Sequence, residues 1–341
     1  MGTAYEKVMD SRKELVDQII KMMEEGFHFN QEGWEKGFLS PHNPESGTIY
    51  HGGNKLRLML MAAMQKYNDP RWMTYKQIKK AGYTLKPGQH GVLCEKWIFP
   101  EDKVNEKNHG TQQNIKENEK DEGTTSKQNV AVSYFFVFNA QQVKDYPVYV
   151  RPFSNPHDNM LQFADDLIGT SECPIYEHEQ DRAYYSRQKD HIILPPRQYF
   201  KNGEAFVSTL LHEMGHSTGH ESRLGRQYGK KFGDENYARE ELIAELSTVF
   251  SSADLGVQVS EERMQDNSDY LKSWIKALND DPNELFRVCA YADKATARIV
   301  GHYYEKYPED SYEEIEEVKT AIKENDNSLD NNVKYQYKKG R

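Results

Sequence analysis

The sequence predicts an α+β fold with two domains, of which the first contains a small antiparallel sheet and the second is mostly helical. A chain of 341 residues is long enough for two domains of ordinary size. Residues 91–99 and 130–139 are rich in β-branched and aromatic residues and can pair as an antiparallel hairpin. Helical periodicity dominates the second half. We place the domain boundary at residue 152, within the proline-containing stretch 146–158.

Three helices are predicted before the hairpin. Residues 5–26 carry apolar side chains spaced for one buried face, and residues 54–67 form a helix capped by Asn54. A shorter helix over 73–81 has Gly82 as its C-terminal cap. Residues 101–129 contain no aromatic side chain, so we expect a disordered insertion within the first domain.

The second domain, residues 153–304, is predicted to begin with a helix over 159–169 and a strand over 190–195. A long helix with a histidine motif follows, and further helices are expected over 240–256, 267–279 and 283–300. Residues 305–341 form a charged tail, in which we expect helical fragments or disorder.

Composition restricts the cellular setting. No apolar run approaches the roughly 18 residues that a membrane span needs. Three scattered cysteines argue against a disulfide framework and favour a reducing compartment. We therefore expect a cytoplasmic monomer without membrane contact. The net charge of −10, taken alone, would argue against a nucleic-acid partner.

The stretch from 209 to 226 contains an HExxH motif. His212 and His216 are four residues apart, so a helix places both imidazoles on one face, where they can bind one metal ion. In zinc hydrolases the ion lowers the pKa of a bound water to near 7, and a neighbouring carboxylate accepts its proton. Glu213 is the candidate for this catalytic base. A bare HExxH can also be a solvated helix face.

A third ligand is expected from the glutamate-rich segment EELIAEL. Glu241 follows His216 by 25 residues, and Glu245 lies one helical turn later. We predict Glu241 as the ligand and Glu245 as its support or its replacement. His220 is the competing candidate, but Gly219 is predicted to end the helix and turn His220 away. Two imidazoles and a carboxylate suit Zn²⁺ and also accept Mn²⁺, Co²⁺ or Ni²⁺.

The N-terminal half contains a basic region, although the chain as a whole has a negative net charge. Residues 49–97 contain nine Lys or Arg against two acidic residues, together with six aromatic residues. Cations that follow phosphates and rings that stack on unpaired bases are typical of single-stranded DNA binding. The alternative is a solvated basic surface over a core that contains some of the rings. The predicted DNA-binding residues are Tyr50, Asn54, Lys55, Arg57, Arg71, Trp72, Tyr75, Lys76, Lys79, Lys80 and Lys86.

Both halves together resemble one protein family. The stretch IYHGGNKLRL…YNDPRWMTYKQIKKAGYTLKPGQHGV is similar to the N-terminal single-stranded-DNA-binding domain of ArdC-type antirestriction proteins. The stretch TLLHEMGHSTGHESRLGR…EELIAEL resembles the zincin-like metallopeptidase domain that accompanies it. The resemblance implies a protein of plasmids or other mobile elements that acts as incoming DNA, for example during conjugation, becomes established. It also implies that His212, His216 and an acid of EELIAEL hold the metal, with Glu213 as base.

Three functions remain open at this point. The first is an antirestriction protein that binds single-stranded DNA and cleaves an unidentified protein, such as one of a host restriction system. The second is a non-enzymatic DNA-protecting protein whose metal site is structural or vestigial. The third is a metalloprotease that cleaves a repressor as a regulatory switch. Glu213 favours the first, since a purely structural site needs no general base.

Overall fold

The computed structural model describes residues 3–25, 39–98, 131–149, 159–227, 235–257 and 268–308. The predicted insertion at 101–129, the predicted boundary at 152 and the tail from 309 onward lie outside the described residues. Within the described ranges the protein mixes helices with small sheets, which confirms the predicted α+β class.

The first two helices are α1 (Ala4–Glu24) and α2 (Gly52–Gln65). Thr3 caps α1 in a capping box with Glu6, which satisfies two backbone N–H groups at the helix start. The prediction that Asn54 caps the second helix was wrong. That helix begins two residues earlier, and the Asn54 amide instead exchanges two hydrogen bonds with the backbone of Glu95.

The third helix begins two residues later than predicted for 73–81, because a short strand precedes it. Trp72–Thr74 form β1, and Thr74 caps the short helix α3 (Tyr75–Lys80). The strands β2 (Thr84–Leu85), β3 (Val92–Ile98) and β4 (Ala131–Asn139) follow, and β5 (Val143–Lys144) pairs with β2. The predicted antiparallel pairing of β3 with β4 is confirmed, and β4 is the central strand of the order β1-β4-β3.

The second half surrounds another three-stranded sheet with helices. After α4 (Met160–Ile168), the strands β6 (Ile175–Glu177), β7 (Tyr184–Ser186) and β8 (His191–Leu194) form a sheet in the order β6-β8-β7. The helices α5 (Gly203–Ser217), α6 (Glu235–Leu255), α7 (Ser268–Asp280) and α8 (Asn283–Lys306) complete the described chain. None of the described helices is long and apolar enough to cross a membrane.

One hydrophobic core joins both halves of the sequence. It contains Leu15 and Ile19 from α1, Leu56 from α2, and side chains of α6, α7 and α8. An ion pair between buried Lys55 and partly buried Asp254 crosses the same contact, with Lys55 Nζ 2.6 Å from an Asp254 carboxylate oxygen. The two halves therefore share this hydrophobic cluster, while three other buried clusters each belong to one half alone.

The close approach of α5 to α6 depends on Gly215. A Cβ at this residue would lie 2.4 Å from Ser247 Oγ and 3.3 Å from Ala244 Cα, both on α6. Only a residue without a side chain fits at these distances. This crossing brings the glutamates of α6 next to the histidines of α5.

Candidate metal centre

The two histidines of the HExxH motif lie on α5, a helix that is buried along most of its length. Asn202 begins the helix by accepting the Ala205 backbone N–H. His212 and His216 are one turn apart, and their ring centroids are separated by 4.7 Å. The predicted helix therefore places both imidazoles on the same face, at the contact with α6.

Glu241 on α6 faces both imidazoles. Its Oε2 lies 3.6 Å from His212 Nε2, and its Oε1 lies 3.6 Å from His216 Nε2. One ligand atom from each of these three residues can be chosen so that all lie within 4.8 Å of one another. Ligands bonded to zinc at 2.0–2.1 Å in a tetrahedral site are about 3.3 Å apart. The three residues therefore fit a divalent metal in both spacing and donor type.

The other nitrogen of each ring faces a second carboxylate. His212 Nδ1 lies 3.8 Å from Glu245 Oε2, and His216 Nδ1 lies 3.3 Å from Glu240 Oε1. In metal sites such outer carboxylates orient the ring and raise its basicity. Since Glu245 is on the Nδ1 side of His212 and Glu241 on the Nε2 side, the geometry favours Glu241 over Glu245 as the ligand.

Sequence reasoning missed Glu240 and Arg226. Both are buried, and their side chains form a two-point ion pair in which Arg226 Nε and Nη2 donate to the two Glu240 oxygens at 2.9 and 2.6 Å. The only signal in the sequence was the adjacency of Glu240 to Glu241 in a helix that was expected to supply one ligand. Consecutive residues on a helix point about 100° apart, so the position of Glu241 gave no reason to expect Glu240 at the same site.

The carboxylates make this site strongly attractive to a cation. Burial lowers the pKa of His216, but Glu241, Glu240 and Glu213 outweigh that effect and raise the pKa to about 10. Burial raises the pKa of Glu241, yet the two imidazoles hold it well below its usual range. In the metal-free protein the carboxylates therefore favour the protonated His216 imidazole, so metal binding there would release a proton.

Glu213 is buried beside the ligand set without belonging to it. Its side chain follows His212 on α5 and is 4% exposed. It is near enough for its charge to help raise the pKa of His216. It is not one of the three residues whose ligand atoms converge among the described residues. A carboxylate in this place can accept a proton without occupying a ligand position.

His220 lies beyond the end of the helix and outside the converging set. Helix α5 ends at Ser217, and the chain then turns through Gly219. His220 Nδ1 accepts the Ser222 backbone N–H at 3.2 Å and lies 2.7 Å from the Ser222 hydroxyl. The turn therefore gives His220 a local hydrogen-bonding role.

Five of the predicted DNA-binding side chains are buried: Tyr50, Lys55, Arg57, Arg71 and Trp72. The Trp72 ring is 1% exposed in the core beneath the first sheet, where Tyr50 donates to its carbonyl. Lys55 pairs with Asp254, Arg57 donates to the Leu93 carbonyl, and Arg71 pairs with Asp69. These groups contact the protein itself, so we do not assign DNA contacts to them, nor to Asn54, whose amide bonds Glu95.

The remaining predicted residues form an exposed surface on α3 and the segment after it. Tyr75 is 50% exposed, and Lys79 Nζ lies 5.5 Å from its ring centroid. Lys144 on β5, which the sequence analysis did not include, joins this surface because β5 pairs with β2. The surface, termed the α3 surface below, consists of Tyr75, Lys76, Lys79, Lys80, Lys86 and Lys144, all exposed.

Comparison with known proteins supports the same two-part organisation. Residues 9–138 match the family model described as the N-terminal domain of anti-restriction factor ArdC, and residues 162–291 match a zincin-like metallopeptidase. Crystal structures of the antirestriction ArdC protein from plasmid R388, one metal-free and one Mn(II)-bound, superpose with a TM-score of 0.65 at 28% identity. The match covers 86% of this chain and 98% and 97% of those two chains.

Two sequence relatives show different extents of overlap. The DNA primase TraC of Escherichia coli is 33% identical over 286 residues, which are 83% of this chain but 26% of the primase. The chain thus spans about a quarter of that relative's length. Protein y4eC of Sinorhizobium fredii is 28% identical over 288 residues, which are 84% of this chain and 90% of y4eC. With an ArdC N-terminal domain followed by a zincin-like domain, the chain belongs to the ArdC-like family of antirestriction proteins.

Proposed function

We propose that this chain is an antirestriction protein that binds single-stranded DNA and carries a metal-dependent peptidase site that acts on a protein. The observation that carries the peptidase half is the approach of the Glu241 carboxylate to both Nε2 atoms at 3.6 Å, with Glu213 beside them. The similarity to the plasmid-encoded ArdC protein supports the antirestriction half. A restriction-system protein of the recipient cell is the substrate class that fits this role.

The metal that we propose is Zn²⁺, with Mn²⁺, Co²⁺ or Ni²⁺ as replacements, because two nitrogens and one carboxylate accept all four ions. The Mn(II)-bound ArdC structure supports a divalent ion in this family. Bound by His212, His216 and Glu241, the ion supplies Lewis-acid activation of water and of the peptide carbonyl.

Glu213 performs the proton transfer in this proposal. It is buried, so its carboxylate is held in place rather than solvated, and it lies on the same helix as both histidines. It accepts a proton from the attacking water and delivers it to the leaving amine. Glu245 and Glu240 keep the two rings oriented through their Nδ1 atoms.

The peptidase half is tested with metal-loaded full-length protein and a peptide library, using mass spectrometry to detect new termini. Wild type should generate cleavage products that a chelator abolishes, and Glu213→Gln should bind the metal but generate none. A general base contributes about 10²–10⁴-fold, so the loss should be clear. Absence of metal-dependent cleavage by wild type would leave the non-enzymatic DNA-protecting function in its place.

The proposed binding of single-stranded DNA depends on the α3 surface. Its lysines are exposed to phosphates, although Lys86 Nζ also donates to the Gln141 carbonyl at 2.8 Å, and the exposed Tyr75 ring is available to stack on a base. All residues of this surface except Lys144 lie within the range that matches the ArdC N-terminal domain. Binding there would be independent of sequence and sensitive to salt.

Fluorescence anisotropy of a labelled oligonucleotide tests this half. Replacing Lys76, Lys79 and Lys80 with Gln should weaken single-strand binding and reduce the log–log salt slope by about 2, at about 0.7 per phosphate contact. The control replaces three lysines that are exposed on other helices, Lys13, Lys21 and Lys294. Equal losses in both triple variants, or wild-type preference for duplex, would refute the assignment of the α3 surface.

A further inference from the structure

Glu240 and Arg226 form a buried contact with the metal-site histidine that neither ligand spacing nor family resemblance assigns. Glu240 Oε1 lies 3.3 Å from His216 Nδ1, the ring nitrogen opposite the one facing Glu241. Glu240 and Arg226 are 3% and 5% exposed. Two N–H groups of Arg226 bind the two Glu240 oxygens at 2.9 and 2.6 Å. Both carboxylate oxygens are therefore fixed.

Arg226 also binds the end of α5 directly. Its Nη1 donates to Thr218 Oγ1 at 2.7 Å, and its Nη2 donates to the Gly215 carbonyl at 2.8 Å. Its backbone N–H donates to the Gly219 carbonyl at 3.0 Å. Gly215 directly precedes His216 on α5, and Thr218 is the residue that follows the end of the helix. One guanidinium thus holds the turn that carries His216 and the carboxylate on α6 that faces its ring.

We propose that Arg226 and Glu240 are positioning residues for His216 that select Nε2 as its metal-binding atom. The inference rests on the metal site proposed above. An imidazole binds a metal only through a nitrogen without a proton, and a hydrogen bond at the other nitrogen decides which one that is. Glu240 accepts the Nδ1–H, which leaves Nε2, the nitrogen that faces Glu241, to bind the metal.

The same contact keeps Glu240 from becoming a ligand itself. Glu240 is adjacent in sequence to Glu241, and a carboxylate free to rotate near the ion would compete for the open position that catalysis requires. The planar guanidinium holds both of its oxygens at once, which a lysine in this place could not do. Arg226 thereby maintains a site with three protein ligands.

The test compares variants of the full-length protein by titration with Zn²⁺ alone against a chromophoric chelator. Removing only one partner would leave a buried unpaired charge and could unfold the protein. The main variant therefore changes both residues, Glu240→Gln with Arg226→Met, and replaces the ion pair with neutral side chains of similar size. Its metal affinity should fall about 10- to 100-fold, as for other residues that orient ligands.

A tautomer measurement separates positioning from general stability. Nitrogen NMR of the zinc-loaded wild type should show His216 protonated at Nδ1 and metal-bound at Nε2. In the double variant the signal should shift toward a mixture of tautomers. Arg226→Lys, which keeps the charge but not the two-point contact, should give an intermediate loss of affinity and provides the test if the double variant does not fold.

Arg223→Met is the matched control. Arg223 lies in the same segment after α5, but its guanidinium binds the Ser217 carbonyl at 2.7 Å, the Asp190 carboxylate and the Tyr185 hydroxyl, and not Glu240. Its affinity for zinc should stay within about twofold of wild type. The proposal is overturned if the double variant, or Arg226→Lys in its place, binds zinc as tightly as wild type does. It is also overturned if Arg223→Met loses as much zinc affinity as the double variant. Failure of wild type to bind zinc would instead refute the metal site itself.

Discussion

Replacing Gly215 with alanine tests whether the spacing between α5 and α6 determines metal binding. The new Cβ would lie 2.4 Å from Ser247 Oγ and 3.3 Å from Ala244 Cα. Ordinary contact between such atoms is about 3.5 Å, so the helices or the serine must move by about 1 Å. Ala244 is a backbone contact on α6, one turn after Glu241, so movement of α6 carries the ligand with it.

The expected loss of zinc affinity in Gly215→Ala follows from the distances between the ligand atoms. Glu241 is now 3.6 Å from each Nε2, and a shift of 1 Å away from α5 would extend these distances beyond about 4.2 Å, twice the metal–ligand bond length. Overpacking of this kind costs about 1–3 kcal/mol. We expect zinc affinity to fall about 10- to 100-fold, since each tenfold change corresponds to about 1.4 kcal/mol.

The assay is zinc titration together with thermal unfolding of the metal-free protein. Adding Ser247→Ala removes the nearest clashing atom, so the double variant should recover most of the affinity. Gly301→Ala is the control, because a Cβ at this helical glycine meets nothing within 4 Å and alanine favours the helix. Wild-type affinity in Gly215→Ala, or no recovery in the double variant, would show that the spacing between α5 and α6 does not determine metal binding.

Three further predictions concern the site and the N-terminal half. His212→Ala and His216→Ala should each lose the metal, which metal analysis of the purified proteins measures; full occupancy in either variant would exclude that residue as a ligand. Glu241→Ala should reduce zinc affinity more than Glu245→Ala, and the reverse order in a chelator competition would exchange their roles. Trp72→Ala should lower the free energy of unfolding by about 3–5 kcal/mol because the ring is buried, whereas Tyr75→Ala should leave unfolding unchanged and weaken single-strand binding by about 1–3 kcal/mol. Unfolding curves and anisotropy titrations distinguish these outcomes, and a stable Trp72→Ala protein with weakened DNA binding would restore Trp72 to the DNA surface.

Local patterns in the sequence predicted the part of the metal site that one helix encodes. The spacing of His212 and His216 fixes both imidazoles on one face whatever surrounds the helix. The approach of Glu241 needed α5 and α6 to cross, and the glycine within the motif was the only local sign of how close that crossing is. The Arg226–Glu240 contact depends on a turn and a helix separated along the chain, so no periodicity could indicate it.

The DNA-binding prediction shows where composition misleads. Counting cations over 49–97 could not distinguish Lys55, buried against Asp254 at the junction of the two halves, from Lys79, exposed on α3. Long basic side chains are usually exposed, which made burial of Lys55 an unexpected outcome. The hydrophobic cluster shared by both halves was missed for a similar reason. The apolar face of α1 predicted that this helix is buried, but not which helices cover it.

A crystal structure of the metal-loaded protein, with the ion located by anomalous scattering, would show directly which residues bind the metal. We expect one ion bound by His212 Nε2, His216 Nε2 and the Glu241 carboxylate, with a coordination position open beside Glu213. An ion bound at another place, or one whose coordination is closed by Glu213, Glu245 or His220, would contradict it.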